Sequence, residues 1–304
     1  MELYNLNDKQ IHDLEIKIEE LSKKKEEKGE IDLNFRIEGD KKPFLSIGID
    51  FVHNPISKDK FPQLHVDIID GFYHLLQKKF PKNVYLTCWF IQSYENEKIK
   101  RMKNTGVIEI EDGSMNQFFT RFLDIPSKKK LLDNMLKSIH KKKGLIFFPI
   151  FIELGHFALV VFDCKNQTLT YYDSLLEIGE KDEDGFTEFA NEYLDMVVYY
   201  IIDYYNTLKE NDLMKESKVL TSFKEKFKKE GDVFQSDDIP QQKNIVDCGV
   251  YCCLMGYILS NKEKIPEKFS KKQIYSMRLK IKEALFEGEI KEAILEEEIK
   301  KEAL

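Results

Sequence analysis

Apolar positions along the chain fall into three patterns, and the first of them is helical. From Asp8 to Lys28, Ile11, Leu14, Ile18 and Leu21 recur at spacings of three, four and three among dense Glu and Lys. That period predicts an amphipathic arm laid against the body or a partner. Asp67 to Phe80 repeats it with Ile68, Ile69, Phe72, Leu75 and Leu76, and Pro81 closes the helix. Asn116 to Leu123 and Lys129 to His140 predict short helices around Pro126, and Phe186 to Leu208 predicts a long one rich in Tyr, Val and Ile. Asn83 to Tyr94 is apolar and aromatic, with no period that separates helix from strand.

The second pattern is continuous. Leu145 to Ile152 and Phe157 to Asp163 are unbroken apolar runs, and Thr168 to Tyr172 is a shorter extended piece. Such runs predict strands buried on both faces. Lys165-Asn166-Gln167 supplies a turn between the last two, which makes them a hairpin. In that hairpin, residues whose numbers sum to about 330 face each other, so His156 and Asp173 meet at its open end. The third pattern is the wholly apolar helix Asp247 to Leu259, placed at the centre of the fold. Together these predict an α/β (α+β) domain, a mixed or antiparallel sheet flanked by helices.

The rest of the chain divides around this core. Gly29 and Gly39-Asp40 punctuate the chain after the arm, and Lys215 to Gly231 is highly charged around Leu220 and Phe223, as a solvated face would be. From Ile281 a nine-residue unit beginning Ile-Lys-Glu-Ala nearly repeats. Nine residues make two and a half turns, so successive apolar groups fall on opposite sides, a pattern that a heptad coiled coil describes poorly. The expectation is a terminal helix only partly docked, and a candidate site for a partner protein, as is the N-terminal helix. Three parts result: an arm over 1–30, a main domain over 31–268 and a charged helical extension over 269–304.

Composition narrows the function. With 304 residues and 42% hydrophobic content the chain can bury a sizeable core, as one large domain or two small ones. A net charge of −7 counts against a nucleic-acid partner. Five cysteines in so long a chain make no disulfide scaffold and suit a reducing compartment, cytoplasm or nucleus, of a host cell if the source is a pathogen. Met1 to Gln10 lacks the regions of a signal peptide, and no 18-residue apolar stretch predicts a membrane span. Cys248 and Cys252 share a helix face but lack a CxxC pair or a third close ligand, so no metal is expected. No glycine-rich loop predicts a nucleotide, and no other cofactor is expected.

Chemistry concentrates at Asp247-Cys248-Gly249-Val250-Tyr251-Cys252-Cys253-Leu254, which follows Gln241-Gln242-Lys243-Asn244. Cys248 stands where a loop turns into a buried helix. Unpaired N–H groups at a helix start stabilise a thiolate and lower its pKa. Cys252 and Cys253, deeper in the helix, read as small hydrophobes. Asp247 is also a residue type that caps helices. An isolated His beside an apolar strand is most often structural; one paired with Asp across a hairpin, with a helix-initiating Cys, points to a nucleophile, a base and a group that orients the base.

Three segments, Gly155-His156-Phe157, Asp173-Ser174-Leu175 and Gln242 to Gly249, resemble the ubiquitin-like-protein-specific cysteine proteases related to the SUMO proteases, whose chain order is His, Asp, Gln, Cys. The resemblance covers about Leu64 to Leu259. It implies that Cys248 is the nucleophile, His156 the general base, Asp173 its orienter and Gln242 the oxyanion-hole amide. Asn244, Asp247 and Gly249 match the same motif. It further implies cleavage after the C-terminal Gly-Gly of ubiquitin, SUMO or NEDD8, with the modifier and its conjugates as partners. The family's Trp after the His is Phe157 here. Its Trp-Leu-Asn-Asp lead-in to the first helix aligns with Leu64-His65-Val66-Asp67, and the resemblance implies a substrate channel formed by Leu64, Asp67, Phe157, Asn244, Asp247 and Gly249. A replacement ring would come from Tyr85, Trp89 or Phe90. Two other readings stand beside this one: an acyltransferase of the same fold, which would commonly carry Glu at Asp173, and a non-catalytic modifier-binding module, which has no need of all four groups.

Overall fold

A computed structural model describes residues 3–28, 32–35, 45–48, 63–105, 115–152, 155–175, 188–215, 217, 220, 227, 233–235 and 239–291. The glycines at 29 and 39, nearly all of the charged stretch over 215–231, the first residues of the helix expected from Phe186 and the repeats beyond 291 lie outside the described residues. The elements run α1 (Asp8–Glu27), β1 (Asp32–Phe35), β2 (Leu45–Gly48), α2 (Val66–Lys79), β3 (Val84–Tyr85), α3 (Cys88–Thr105), α4 (Asn116–Leu123) and α5 (Pro126–Lys141). There follow β4 (Leu145–Ile152), β5 (His156–Asp163), β6 (Thr168–Tyr172), α6 (Glu188–Glu210), β7 (Val233–Gln235), α7 (Cys248–Asn261) and α8 (Lys271–Glu287). The undivided stretch Asn83 to Tyr94 is thus both things, a two-residue strand and the start of a helix. Pro126 does not separate helices but opens α5, where its missing N–H costs nothing.

The described sheet is mixed, in the order β3-β4-β5-β6-β7, with antiparallel pairs at its centre and parallel pairs at both edges. Both faces are covered, as the unbroken apolar runs predict. Phe157, Leu159 and Val161 of β5 face the cluster that holds α7 and α2, while Ala158, Val160 and Phe162 face the cluster built on α3 to α6. Alternation along a strand assigns the residues, and helices on each side assign the burial. In the β5–β6 hairpin Leu159 faces Tyr172 and Asp163 faces Thr168, a register one residue off the expected one.

The two ends of the chain meet. α1 packs on α8, and α8 packs on α2 and α7. Leu3, Tyr4, Leu6, Leu14 and Ile18 share one hydrophobic cluster with Met277, Ile281, Leu285 and the apolar residues of α7. Lys17 forms ion pairs with Glu283 and Glu287 at 2.6 and 2.7 Å. α8 contacts α1, α2 and α7; it takes in only the first of the nine-residue units, and the expectation of a partly docked terminal helix falls mostly on residues beyond 291, outside the described ones. Capping boxes open both helices, Asn7 with Gln10 and Ser270 with Gln273.

Candidate active site

Cys248 is the first residue of α7, which is buried almost throughout because it is wedged between the sheet and α2. Its neighbour Gly249 is needed for that wedge. A Cβ there would lie 2.9 Å from Ile69 Cδ1, 3.2 Å from Leu64 Cβ and 3.4 Å from Phe157 Cδ2. Absence of a side chain lets the helix start reach the sheet, and the thiol with it. The first N–H groups of α7 precede its internal hydrogen-bond ladder.

β5 begins at His156, and β6 ends one residue before Asp173. The hairpin brings the two together: His156 Nε2 is 2.8 Å from Asp173 Oδ1. Asp173 is itself fixed from three sides. Its Oδ2 accepts from Tyr171 Oη at 2.9 Å, its Oδ1 from Leu175 N at 2.8 Å, and its carbonyl from Gln241 Nε2 at 3.2 Å. With Nε2 committed to the carboxylate, Nδ1 is the imidazole nitrogen left for other work. It is buried and makes no hydrogen bond of ordinary geometry. The Cys248 thiol is the group beside it that shifts its proton affinity.

Electrostatics separate Cys248 from the other thiols. Burial pushes it up, but the His156 ring more than offsets this, helped by the Phe157 N–H and the Gln63 amide, so its pKa lies below the ordinary thiol value. Burial pushes Cys252 and Cys164 up to about 12, and Cys88 and Cys253 up as well. Of the five cysteines Cys248 alone is depressed. Burial likewise disfavours the His156 cation, yet Asp173 and Cys248 outweigh it and raise the ring to about 9. These opposite shifts are those of an imidazolium–thiolate pair.

The loop before α7 is a closed hydrogen-bond network. Gln242 N donates to Ser174 O at 2.9 Å, Ser174 Oγ donates to Gln242 Oε1 at 2.7 Å, and Gln242 Nε2 donates to Asn244 O. Because a carbonyl only accepts, this last contact fixes which end of the Gln242 amide is nitrogen. Asn244 Oδ1 accepts from Val246 N and Asp247 N at 2.9 and 3.0 Å, and its Nδ2 donates to Asp247 Oδ2 at 2.6 Å. Asp247 stands at the helix N-cap but makes no side-chain cap bond. Its carboxylate instead accepts from Arg278 of α8, Nε at 3.1 Å and Nη2 at 2.5 Å.

The channel residues are placed unevenly. Leu64 and Phe157 meet Gly249 but are buried, 8% and 2% exposed, so they form a floor under the helix start. Asp67 sits in the first turn of α2 with its carboxylate 3.1 Å from His65 Nδ1, apart from the network around Cys248. The side chain over the thiol is that of Gln63, one residue before the expected Leu64, with Nε2 3.5 Å from Cys248 Sγ. None of the candidate replacement rings lies there. Tyr85 stacks on Phe147, and Trp89 lies with Phe90 and Phe122 under Lys128 on the opposite face of the sheet. Gln63, Tyr171 and Arg278 had no role in the sequence reading. Arg278 left a trace, as one of only four arginines in a lysine-rich chain, arginine being the residue suited to a buried forked ion pair.

Among the described residues no group of three or more His, Cys, Asp or Glu side chains is arranged to hold a metal ion. No described helix is long and apolar enough to cross a membrane.

The profile of the Ulp1 protease family, C-terminal catalytic domain, matches residues 114–292, more than half of the chain. No curated protein is similar enough in sequence to count as a relative. Among solved structures the chain is similar to the C-terminal Ulp1 protease domain in complex with Smt3, the yeast ortholog of SUMO. The identity is 18% over 94% of this chain and 97% of that one, with a TM-score of 0.55. It is also similar to the SUMO protease Ulp1 with its catalytic cysteine oxidised to a sulfinic acid, at 19% identity over 96% and 100% of the two chains and a TM-score of 0.57. At such identities the likeness is one of fold.

Proposed function

The chain belongs to the Ulp1 protease family, and from that premise we propose that it is a cysteine isopeptidase that cuts after the C-terminal Gly-Gly of a ubiquitin-like modifier, SUMO first, with ubiquitin and NEDD8 as the other candidates. One observation carries this reading. His156 is held by Asp173 through Nε2, and the same ring pairs with Cys248, the single cysteine of the chain whose pKa is depressed.

The reaction follows from the groups. His156 takes the Cys248 proton, and Asp173 fixes the tautomer and offsets the ring's charge. The thiolate pair forms the bond to the carbonyl carbon while the C=O π pair moves to oxygen. Gln242 Nε2, which keeps one N–H beyond its bond to Asn244, and the Cys248 backbone N–H hold that oxygen, at about 3–4 kcal/mol for a donor of this kind. The oxyanion collapses, the C–N bond breaks, and His156 gives its proton to the departing lysine amine. Water, deprotonated by His156, then hydrolyses the thioester. SUMO is placed first because the similar solved domain is complexed with the yeast ortholog of SUMO.

Fluorogenic C-terminal conjugates of SUMO, ubiquitin and NEDD8 test the reading. Turnover of the SUMO conjugate, lost in Cys248→Ala, is the expected result. No turnover of any of the three, or a Cys248→Ala rate within tenfold of the parent, overturns it.

A further inference from the structure

The Cys248 sulfur meets a second amide that comes from neither the Gln242 loop nor the His156 hairpin. Gln63 lies three residues before α2, in chain that is extended at the His65 cap. Its Nε2 is 3.5 Å from Cys248 Sγ, a normal reach for a hydrogen bond to sulfur. The same amide closes over the turn that leads into β5. A Cβ added at Gly155 would lie 3.0 Å from Gln63 Oε1 and 3.4 Å from Nε2, and Gly155 adopts φ +86°, a conformation glycine reaches without strain. On that side the sulfur faces the Gly155 carbonyl, 3.9 Å away.

These contacts act oppositely on the two states of the sulfur. A neutral thiol donates to the Gly155 carbonyl. A thiolate can only accept, so it is repelled by that carbonyl and held by the Gln63 N–H. The Gln242 amide shows no such bond to the sulfur in the resting site: its oxygen accepts from Ser174, its nitrogen donates to Asn244, and its second N–H is the one assigned to the oxyanion. The charged groups facing the sulfur are few: His156 from β5, Asp173 behind it, and Asp247 on the preceding residue, whose charge Arg278 offsets. Along its own helix the titratable groups of the next turn are Tyr251 and Cys252, both held neutral by burial.

We propose that Gln63 is a further catalytic residue of the site, a thiolate donor that holds Cys248 ionised and aimed before the substrate carbonyl arrives. The inference rests on Cys248 being the nucleophile, as proposed above. When the thiolate pair goes into the new C–S bond, the Gln63 N–H loses its acceptor and is freed toward the incoming acyl group, with no proton transferred.

The test uses Gln63→Leu, which keeps the bulk over Gly155 and removes the donor, and Gln63→Glu, which keeps the shape and adds an acceptor. Both are read by iodoacetamide alkylation of Cys248 across pH, without substrate, in protein whose cooperative melt matches the parent. A hydrogen bond to a charged group contributes about 1.5–3 kcal/mol, and this long one belongs at the low end. The alkylation rate at pH 7 is therefore expected to fall about tenfold in Gln63→Leu and further in Gln63→Glu, with both midpoints moved to higher pH. kcat/KM on the modifier conjugate should fall in parallel. Parent-like alkylation profiles in both variants overturn the role of Gln63, while loss of turnover in Cys248→Ala leaves the parent reading standing. Turnover surviving in Cys248→Ala would instead overturn the reading beneath it. Should Gln63→Leu not fold, Gln63→Glu with a parent-like profile is enough to reject the proposal.

Discussion

Replacing Arg278 by Met should damage this protein through a residue that lies thirty positions from Cys248, the proposed nucleophile. Arg278 is 3% exposed and Asp247 7%. Two guanidinium nitrogens reach Asp247 Oδ1, and Nη2 also donates to the Val246 carbonyl at 3.0 Å. Were the pair on the surface it would contribute about 0–1 kcal/mol. Buried, it leaves behind a carboxylate with only the Asn244 amide to hold its charge, and breaking one such partner costs about 3–5 kcal/mol. Against a total stability of about 5–15 kcal/mol that loss is large. Replacing both residues by apolar ones removes the stranded charge, so Arg278→Met with Asp247→Leu should regain most of the stability. Urea unfolding of the parent, both single variants and the double gives the coupling directly. Activity should not return with stability. The loop that ends at Cys248 loses its hold on α8 in either case, and a displacement of about 1 Å at a nucleophile costs on the order of 10²-fold in rate. A single-variant loss below 1 kcal/mol, an additive double variant, or a double variant with parent kcat would each refute this account.

Three further outcomes follow from the structure. Activity should rise as the depressed Cys248 thiol ionises and fall as the His156 cation is lost near pH 9; Asp173→Asn should lower kcat about 10²-fold or more and move that alkaline limb to lower pH, measured as kcat/KM against pH, and an unmoved limb would reject Asp173 as the cause. Asp70, whose Oδ1 accepts from Cys88 N at 2.7 Å, has its carboxyl raised by burial to about 7; the folded state then holds a proton that the unfolded state has released, so stability should fall from about pH 4 to pH 7 and level off above, and Asp70→Asn should flatten that slope in urea titrations, an undiminished slope showing that another group sets it. Gly249→Ala should cost about 1–3 kcal/mol by overpacking Ile69 and Leu64, and a melt equal to the parent's would show that the helix start shifts freely.

Much of this was legible in the sequence because it is local. Strand ends at Leu145 and Ile152 coincide with the hydrophobic run that announced them, since burial on two faces leaves no polar positions inside that strand; Thr168–Tyr172 and the helix Asn116–Leu123 also keep the expected bounds. The candidate site residues were named through a hairpin that pairs His156 with Asp173, a cysteine at a helix start, and the resemblance of three short segments to a protease family. What escaped depends on contacts between distant elements. The N–H at the start of α3 is met by Asp70, eighteen residues earlier on α2, so nothing near Cys88 marked a helix start. Arg278 is known only through the α8–α7 packing that buries it. Of the nine-residue units only the first, from Ile281, lies in α8, and those beyond 291 lie outside the described residues.

The most instructive miss is the smallest, the single residue between Leu64 and Gln63. In extended chain, neighbouring side chains point to opposite sides, so a shift of one position exchanges the core for the site. Matching Leu64 to an apolar cover treats the lead-in to α2 as a list of types, and an apolar residue then looks right. Burial says otherwise. Leu64 has Ile69, Phe157 and the Gly249 backbone around it and is 8% exposed, a location with ample reason to be apolar. Its neighbour must then face the other way, toward the sulfur, and there a polar amide has an acceptor to serve. The same parity places Phe157 in the floor while His156, one position before it, reaches the carboxylate. At both edges of this site an apolar residue fixes the backbone and the residue beside it carries the chemistry. Which of two neighbours does which is decided by the helix start they pack against, and Gly249 is what brings that helix close enough to decide it.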